Sequence, residues 1–337
     1  MKISWLRCAA AFAFAAMSMA AARADAAELL NASYDVARAV YQDLNPAFIA
    51  DWKQKTGESL TIDQSHGGSS KQARAVIDGL EADVVSMNNP LDIDAIAKAG
   101  LLPLDWQARL PNHSSPSWSP ILFIVRKGNP KNIRDWDDLI KPGVQIIIPN
   151  PKTSGNGRYS YLAAWQYARS KPGGSDDTAI VFEQKLFANV PVLDTGGRGA
   201  TTTFAQRELG DVLLTFENEV SLIRGEFGAD KFQVVIPSLT VRADNPIALV
   251  DKVAAKKNTT KAAQAYLQFH YTRAAQEIFA KNGLRPIDAA VLKAHAAEFP
   301  AVNVFDVDQA FGGWPKAQAD HFADGASFDK IIAAAHR

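Results

Sequence analysis

The 337 residues carry 36 Lys+Arg against 36 Asp+Glu, with no basic block along the chain, so a nucleic-acid surface is excluded and any anion must be held by local groups. A chain this long exceeds the size at which one hydrophobic core usually stops growing, and two domains are the default expectation. The single cysteine is Cys8, within an N-terminal segment that reads as a targeting sequence, so the mature protein is expected to have neither disulfide nor thiol chemistry.

Lys2 and Arg7 precede an apolar run from Cys8 to Ala22, followed by the small-residue sites Ala22-Arg23-Ala24 and Ala24-Asp25-Ala26. This is the pattern of a cleaved secretory signal peptide, expected over residues 1–24. The run is shorter than the roughly 20 apolar residues that cross a bilayer. Cys8 is no lipoprotein cysteine either, since the apolar run follows it rather than precedes it. Export to the periplasm is the expectation, and loss of Lys2, Arg7 and Arg23 leaves the mature chain slightly negative.

Short β-like runs then alternate with helical patterns, the mark of an α/β fold. Strands are expected at Leu29–Ser33, Leu60–Ser65 and Asp83–Met87, with helices at Val36–Lys55, around a possible break at Pro46, and at Lys71–Leu80. After the Pro/Ser-rich stretch Pro111–Pro120 a second series begins: strands Ile121–Val125, Gln145–Pro149, Val190–Asp194 and Asp211–Phe216, with helices Arg158–Ser170 and Thr201–Glu208. Phe232–Ile236 is a further strand, Ile247–Val253 a further apolar run, and Lys261–Lys281 a long helix. Crossings near Ser115 and Ser238 would give two lobes, 25–115 plus 239–337 and 116–238, with a cleft between them. The tail Pro300–Arg337 holds Phe and Trp anchors and is expected to be packed.

Four segments share one design, in which a strand ends, a turn rich in Gly, Ser or Asp follows, and a helix starts. They are Ser33-Tyr34-Asp35, His66-Gly67-Gly68-Ser69-Ser70, Thr153-Ser154-Gly155-Asn156-Gly157 and Thr195-Gly196-Gly197-Arg198-Gly199-Ala200. A helix start exposes unpaired N–H groups and the positive end of the helix dipole, and so can hold an anion. Any one such turn is more often a simple cap. Four together, at the carboxyl ends of strands, point to one anion site.

These segments resemble the periplasmic sulfate/thiosulfate-binding proteins, notably in Leu29-Leu30-Asn31-Ala32-Ser33-Tyr34-Asp35, Gln64 to Gln72, Pro149 to Gly155 and Asp194 to Gly199. Val125 to Pro130 and Phe311-Gly312-Gly313-Trp314 match as well, so the resemblance spans the mature chain. It implies a two-lobed periplasmic binding protein fold of the class with two crossover connections, the ligand in the interlobe cleft. It further implies sulfate or thiosulfate as ligand and the membrane permease of an ABC importer as partner. Carried over by position, the donors are the N–H of Asp35, the Ser69 side chain or N–H, the Ser154 hydroxyl, and the N–H groups of Gly155, Asn156 and Gly197.

Two departures matter. Sulfate-specific members of the resembled family have Gly where this chain has Asn156, and a Trp, whose indole donates to the anion, where it has Phe216. Ser70, the Thr153 to Asn156 and Gly197 to Phe204 stretches, and Phe216 itself are nearer the thiosulfate-binding members. A Phe cannot donate, and its ring could face a large terminal sulfur; alternatively Phe216 is ordinary core and the pocket still takes sulfate. Arg158 and Arg198 lie on the binding loops as tempting counter-charges, but are read as ties to neighbouring groups, with Arg198 kept as a candidate contact. Asp35 is expected to cap its own helix start.

Enzyme readings find little support. No His/Asp/Glu spacing resembles a metal site, Gly67-Gly68-Ser69-Ser70-Lys71 lacks phosphate-loop spacing, and Ser114-Ser115-Pro116-Ser117-Trp118 lacks the Arg of a sulfatase signature. A binding protein for another tetrahedral oxyanion, molybdate or phosphate, is the nearer alternative, and a secreted sulfuryl or phosphoryl hydrolase the more distant one. A monomer without cofactor, metal or nucleic-acid partner is expected.

Overall fold

The computed structural model describes residues 27–335, so the expected signal peptide lies outside the described residues. Strand β1 (Ala27–Tyr34) pairs in parallel with β2 (Leu60–Gly67) and β3 (Val84–Ser86). The chain then enters a second sheet through β4 (Ser117–Arg126), a continuous apolar run. Ile121, Phe123 and Val125 pack against Trp136 and Tyr159 on one face, and Leu122 and Ile124 against Phe204 and Ile223 on the other. Burial on both faces is why this strand shows no polar alternation.

β5 (Ile146–Pro149), β6 (Leu193–Asp194) and β7 (Val212–Phe216) add three parallel strands, and β7 lies antiparallel to β4. β8 (Phe232–Val235) and β9 (Thr240–Asp244) flank different stretches of β4. β10 (Ile247–Leu249) then joins β3 in the first sheet. β11 (Arg285–Pro286) returns to the start of β4, and β12 (Val304–Phe305) pairs with β9. The result is a four-stranded and an eight-stranded sheet, the architecture of a two-lobed α/β protein.

The second crossing falls between Asp244 and Ile247, a few residues beyond the expected Ser238. There the two crossing segments are bonded side by side: Asn245 N–H donates to the Ser117 carbonyl at 3.0 Å and its side chain donates to Ser117 Oγ at 3.2 Å. The tail also departs from the expected division, since residues 304–335 pack on the second sheet. Trp314 meets Tyr159 edge-on at 4.9 Å, Phe328 meets Phe187 at 5.3 Å, and Lys152 pairs with Asp329 at 3.0 Å. The aromatic anchors in the tail find their partners on the helices Gly155–Ser170 and Asp176–Ala188.

Helix Arg38–Thr56 runs through Pro46 without ending; burial of Leu44, Phe48 and Trp52 along one face outweighs the one backbone bond that proline removes. The expected helix Lys261–Lys281 is instead two, Thr260–Phe269 and Arg273–Lys281, because Thr272 caps the second by accepting from Ala275 N–H. Helices Pro90–Lys98 and Asp176–Ala188 had not been anticipated. Among the described residues, no helix is long and apolar enough to cross a membrane.

A carboxyl group is sealed inside the second lobe. Glu183 is fully buried and neither side-chain oxygen has a hydrogen-bond partner, so burial pushes its carboxyl well above the ordinary carboxylate range. The folded state therefore keeps a proton that the unfolded chain releases above pH about 4.3. Stability from this group is full below that pH and is lost as pH rises toward the raised folded value. Replacing Glu183→Gln is expected to flatten that dependence: as pH rises above the ordinary carboxylate range, the parent should lose stability relative to the variant. Urea unfolding at a series of pH values measures the difference.

Candidate functional site

All three parallel strands of the first sheet and all three of the second run directly into helix starts. β1 leads to Asp35, β2 to the helix Ser69–Ile77, and β3 through Asn88-Asn89 to the helix Pro90–Lys98. β5 leads to the helix Gly155–Ser170, β6 to the helix starting at Gly197, and β7 to the helix Glu217–Phe227. The loops of the two lobes meet. A Cβ placed on Gly68 would stand 3.3 Å from the Thr153 carbonyl and 3.5 Å from that of Thr195, and one on Gly155 would fall 1.9 Å from Asn88 Oδ1.

None of Gly67, Gly68, Gly155, Gly157, Gly196, Gly197 or Gly199 has a positive φ. Their use is close approach rather than unusual dihedrals. Asn156 likewise needs no special turn, because it sits in the first helical turn with ordinary helical dihedrals.

The first intrahelical bonds run from Gln72 N to Gly68 O, Arg158 N to Ser154 O and Ala200 N to Gly196 O. The three N–H groups ahead of each of these have no partner four residues back. Gly157 N–H is taken by Ser154 Oγ at 3.5 Å and Arg198 N–H by Asp35 Oδ2 at 3.2 Å. Those of Ser69, Ser70, Lys71, Gly155, Asn156, Gly197 and Gly199 have no such partner. Ser69 and Ser154 are almost fully buried, and the Ser70 hydroxyl oxygen is buried with no partner among the described residues. The expected site residues Asp35, Ser69, Ser70, Ser154, Gly155, Asn156 and Gly197 thus occupy the facing loops.

Asp35 is the first residue of its own short helix rather than the cap that was expected, Tyr34 holding the cap position. Its carboxylate accepts from its own neighbour Val36 N at 3.1 Å and, across the cleft, from Arg198 N. Burial pushes the Asp35 carboxyl up, and these N–H donors pull it part of the way back. Glu219 lies close by, its carboxyl raised to about 7 by burial and bonded by the Thr201 hydroxyl at 2.8 Å.

The two arginines are both committed elsewhere. Arg158 is buried, donating to the Pro151 carbonyl at 3.1 Å and facing Asp92 at 3.5 Å. Arg198 makes a two-pronged pair with Glu226 at 2.7 and 2.8 Å, so its side chain points away and only its backbone serves the loop. Ser33 Oγ lies 2.6 Å from His66 Nδ1, and burial, with Arg38 nearby, pushes that imidazole down to about 4. His66 is therefore neutral at physiological pH. Ser33 is wholly buried.

Phe216 closes β7, 2% exposed and edge-on to Tyr159 at 6.0 Å. Asn88 and Asn89, which press on Gly155 from the first lobe, had been overlooked; the Asn-Asn-Pro sequence after β3 was their one local signal. Among the described residues no cluster of His, Cys, Asp and Glu could hold a metal ion.

The family described as bacterial extracellular solute-binding protein matches residues 29–285. The thiosulfate-binding protein of Pseudomonas aeruginosa is 54% identical over 318 residues, covering 94% of this chain and 96% of its own. The sulfate-binding protein of Salmonella typhimurium is 52% identical over 304 residues, covering 90% and 92%. Among solved structures, the sulfate-binding protein SubI of Mycobacterium tuberculosis superposes with a TM-score of 0.79 at 34% identity, covering 88% of this chain and 99% of that one. With its two sheets, paired crossing segments and facing helix starts, the chain belongs to the bacterial extracellular solute-binding proteins.

Proposed function

We propose that this protein captures sulfate or thiosulfate in the periplasm, holds it between its lobes, and delivers it to the permease of an ABC importer without chemical change. The observation that carries this reading is the meeting of helix starts from both sheets, with the Arg158 and Arg198 side chains already engaged. Such a site offers chiefly neutral N–H and O–H donors. Hydrogen bonds to a charged group contribute about 1.5–3 kcal/mol each, so six or seven offset much of an anion's lost hydration and leave room for binding at about micromolar or tighter. The names of the relatives, two of them above 50% identity, favour these anions over molybdate.

Rejection of phosphate follows from protonation. Near neutral pH, phosphate keeps a proton that needs an acceptor, and a site of donors leaves it unpaired. Asp35 is the carboxylate nearest these loops, and its oxygens are turned to Val36 and Arg198 N–H. Purified anion-free protein is expected to bind sulfate or thiosulfate with a Kd at about micromolar or below, and phosphate in large excess should not displace either. Calorimetric titration with displacement checks this, and ready exchange by phosphate reassigns the ligand.

Preference between the two anions is proposed to rest on Phe216, whose ring brings no donor where a terminal sulfur, a weak acceptor, would lie. Substituting Phe216→Trp, which adds an indole N–H, should lower the thiosulfate-to-sulfate affinity ratio about tenfold; an unchanged ratio makes Phe216 plain core.

Closure is proposed as the signal that the permease reads, since the Asp35–Arg198, Gly155–Asn88 and Arg158–Asp92 contacts each join one lobe to the other. The moving bodies proposed are 116–244 with the tail 304–335 on one side and the remainder on the other, a grouping supported by the two sheets and the packing of the tail. Gly155→Ala tests the closing contact, because its methyl would overlap Asn88 Oδ1 only when the lobes meet. Affinity is expected to fall about a hundredfold, or roughly 2.8 kcal/mol, with the unfolding midpoint of anion-free protein unchanged. Equal affinity in parent and variant would show that the lobes never approach this closely.

A further inference from the structure

The Asn156 side chain occupies the junction of the three second-lobe segments that carry the anion loops. It is 1% exposed. Its Nδ2 donates to Thr215 Oγ1 at 3.1 Å, and its Oδ1 accepts from Ser160 Oγ at 3.2 Å. Both partners are themselves buried, Thr215 at 1% and Ser160 at 0%. Thr215 immediately precedes Phe216 at the end of β7, and Ser160 lies one turn into the helix that begins at Gly155. The third segment comes close as well: a Cβ on Gly197 would stand 3.6 Å from Asn156 Nδ2.

We infer that the Asn156 side chain is a positioning residue: it ties the start of the helix Gly155–Ser170 to the end of β7, beside the Gly197 loop, so that the second lobe presents its donors as one preformed half-site. This rests on the reading of the ligand as a tetrahedral oxyanion, and adds to it a cause for the geometry. Neutral donors stabilise an anion only where they converge, and donors already held in place need no ordering when the ligand arrives.

Only an amide meets both demands here. It offers a donor at one end and an acceptor at the other, and with both ends bonded to buried hydroxyls its rotamer is fixed. A carboxylate would lack the donor, and a leucine of similar size would lack both. The backbone N–H of Asn156 remains available to the anion, since neither side-chain bond uses it. The same tie fixes the setting of Phe216, because Thr215 is its neighbour in the strand.

The test uses the full-length secreted protein, stripped of anion, titrated with sulfate and with thiosulfate. Asn156→Leu and Thr215→Val should each weaken both anions about tenfold or more. Their combination should be no weaker than the worse single variant, since both break one tie, while Thr215→Ser, which keeps the hydroxyl, should stay within about threefold of the parent. If Asn156→Leu does not fold, Asn156→Ala and Thr215→Val carry the same comparison.

A merely structural role would lower the unfolding midpoint of anion-free protein and leave affinity alone. Parent-like affinity in Asn156→Leu or Thr215→Val, or losses that multiply in the double variant, overturns the positioning role. Failure of the parent to bind either anion overturns the ligand reading itself, and the inference with it.

Discussion

Backbone N–H groups left unpaired at the starts of helices are the constraint around which this molecule is arranged. Every helix leaves such groups, but they become a site only where several helices begin at one place. Six parallel strands feeding six helix starts, three from each sheet, bring them there. The short turns at Ser69, Gly155 and Gly197 let those starts approach closely, with the Asp35 carboxylate and the Asn88 amide between them. The Arg158 and Arg198 side chains are bonded to Pro151, Asp92 and Glu226, so what these two segments turn to the junction is backbone dipoles rather than guanidinium charge.

That arrangement explains the tolerance limits of the loops. Gly155 and Gly157 have no room for a methyl group, facing Asn88 Oδ1 at 1.9 Å and the Pro149 carbonyl at 2.3 Å from the Cβ position. Gly68 is less confined, at 3.3 Å from Thr153 O. The tightest glycines are therefore on the second lobe, where the helix Gly155–Ser170 is buried nearly all round.

Much of this was legible in the sequence, because strand, Gly/Ser turn and helix follow one another locally. The Gly/Ser loops ahead of the helices were located, yet the helices were placed late, at Lys71, Arg158 and Thr201 instead of Ser69, Gly155 and Gly197. Glycine and serine are weak helix formers, so propensity hid the very turns that face the cleft. Asn88 and Asn89 were missed for a different reason: their meaning lies in Gly155, which a sequence does not place beside them. The Asn156 amide was read for its backbone alone, because Thr215 and Ser160 become its partners only once β7 and the helix pack. The tail posed the same difficulty, since Phe322 and Phe328 announce burial but not which lobe buries them. Composition and spacing carry no record of such contacts between distant segments.

Neither sheet is built from one continuous stretch. The first lacks its edge until β10 arrives, long after β1 to β3, and the second gains β12 and the helix Ser327–Ala335 at the end of the chain. Pairings so remote in sequence close slowly, because long loops must be brought together first. A polypeptide emerging from its N-terminal end would thus stay without a finished domain until its final third was present. Such late closure makes the two halves settle together rather than one after the other.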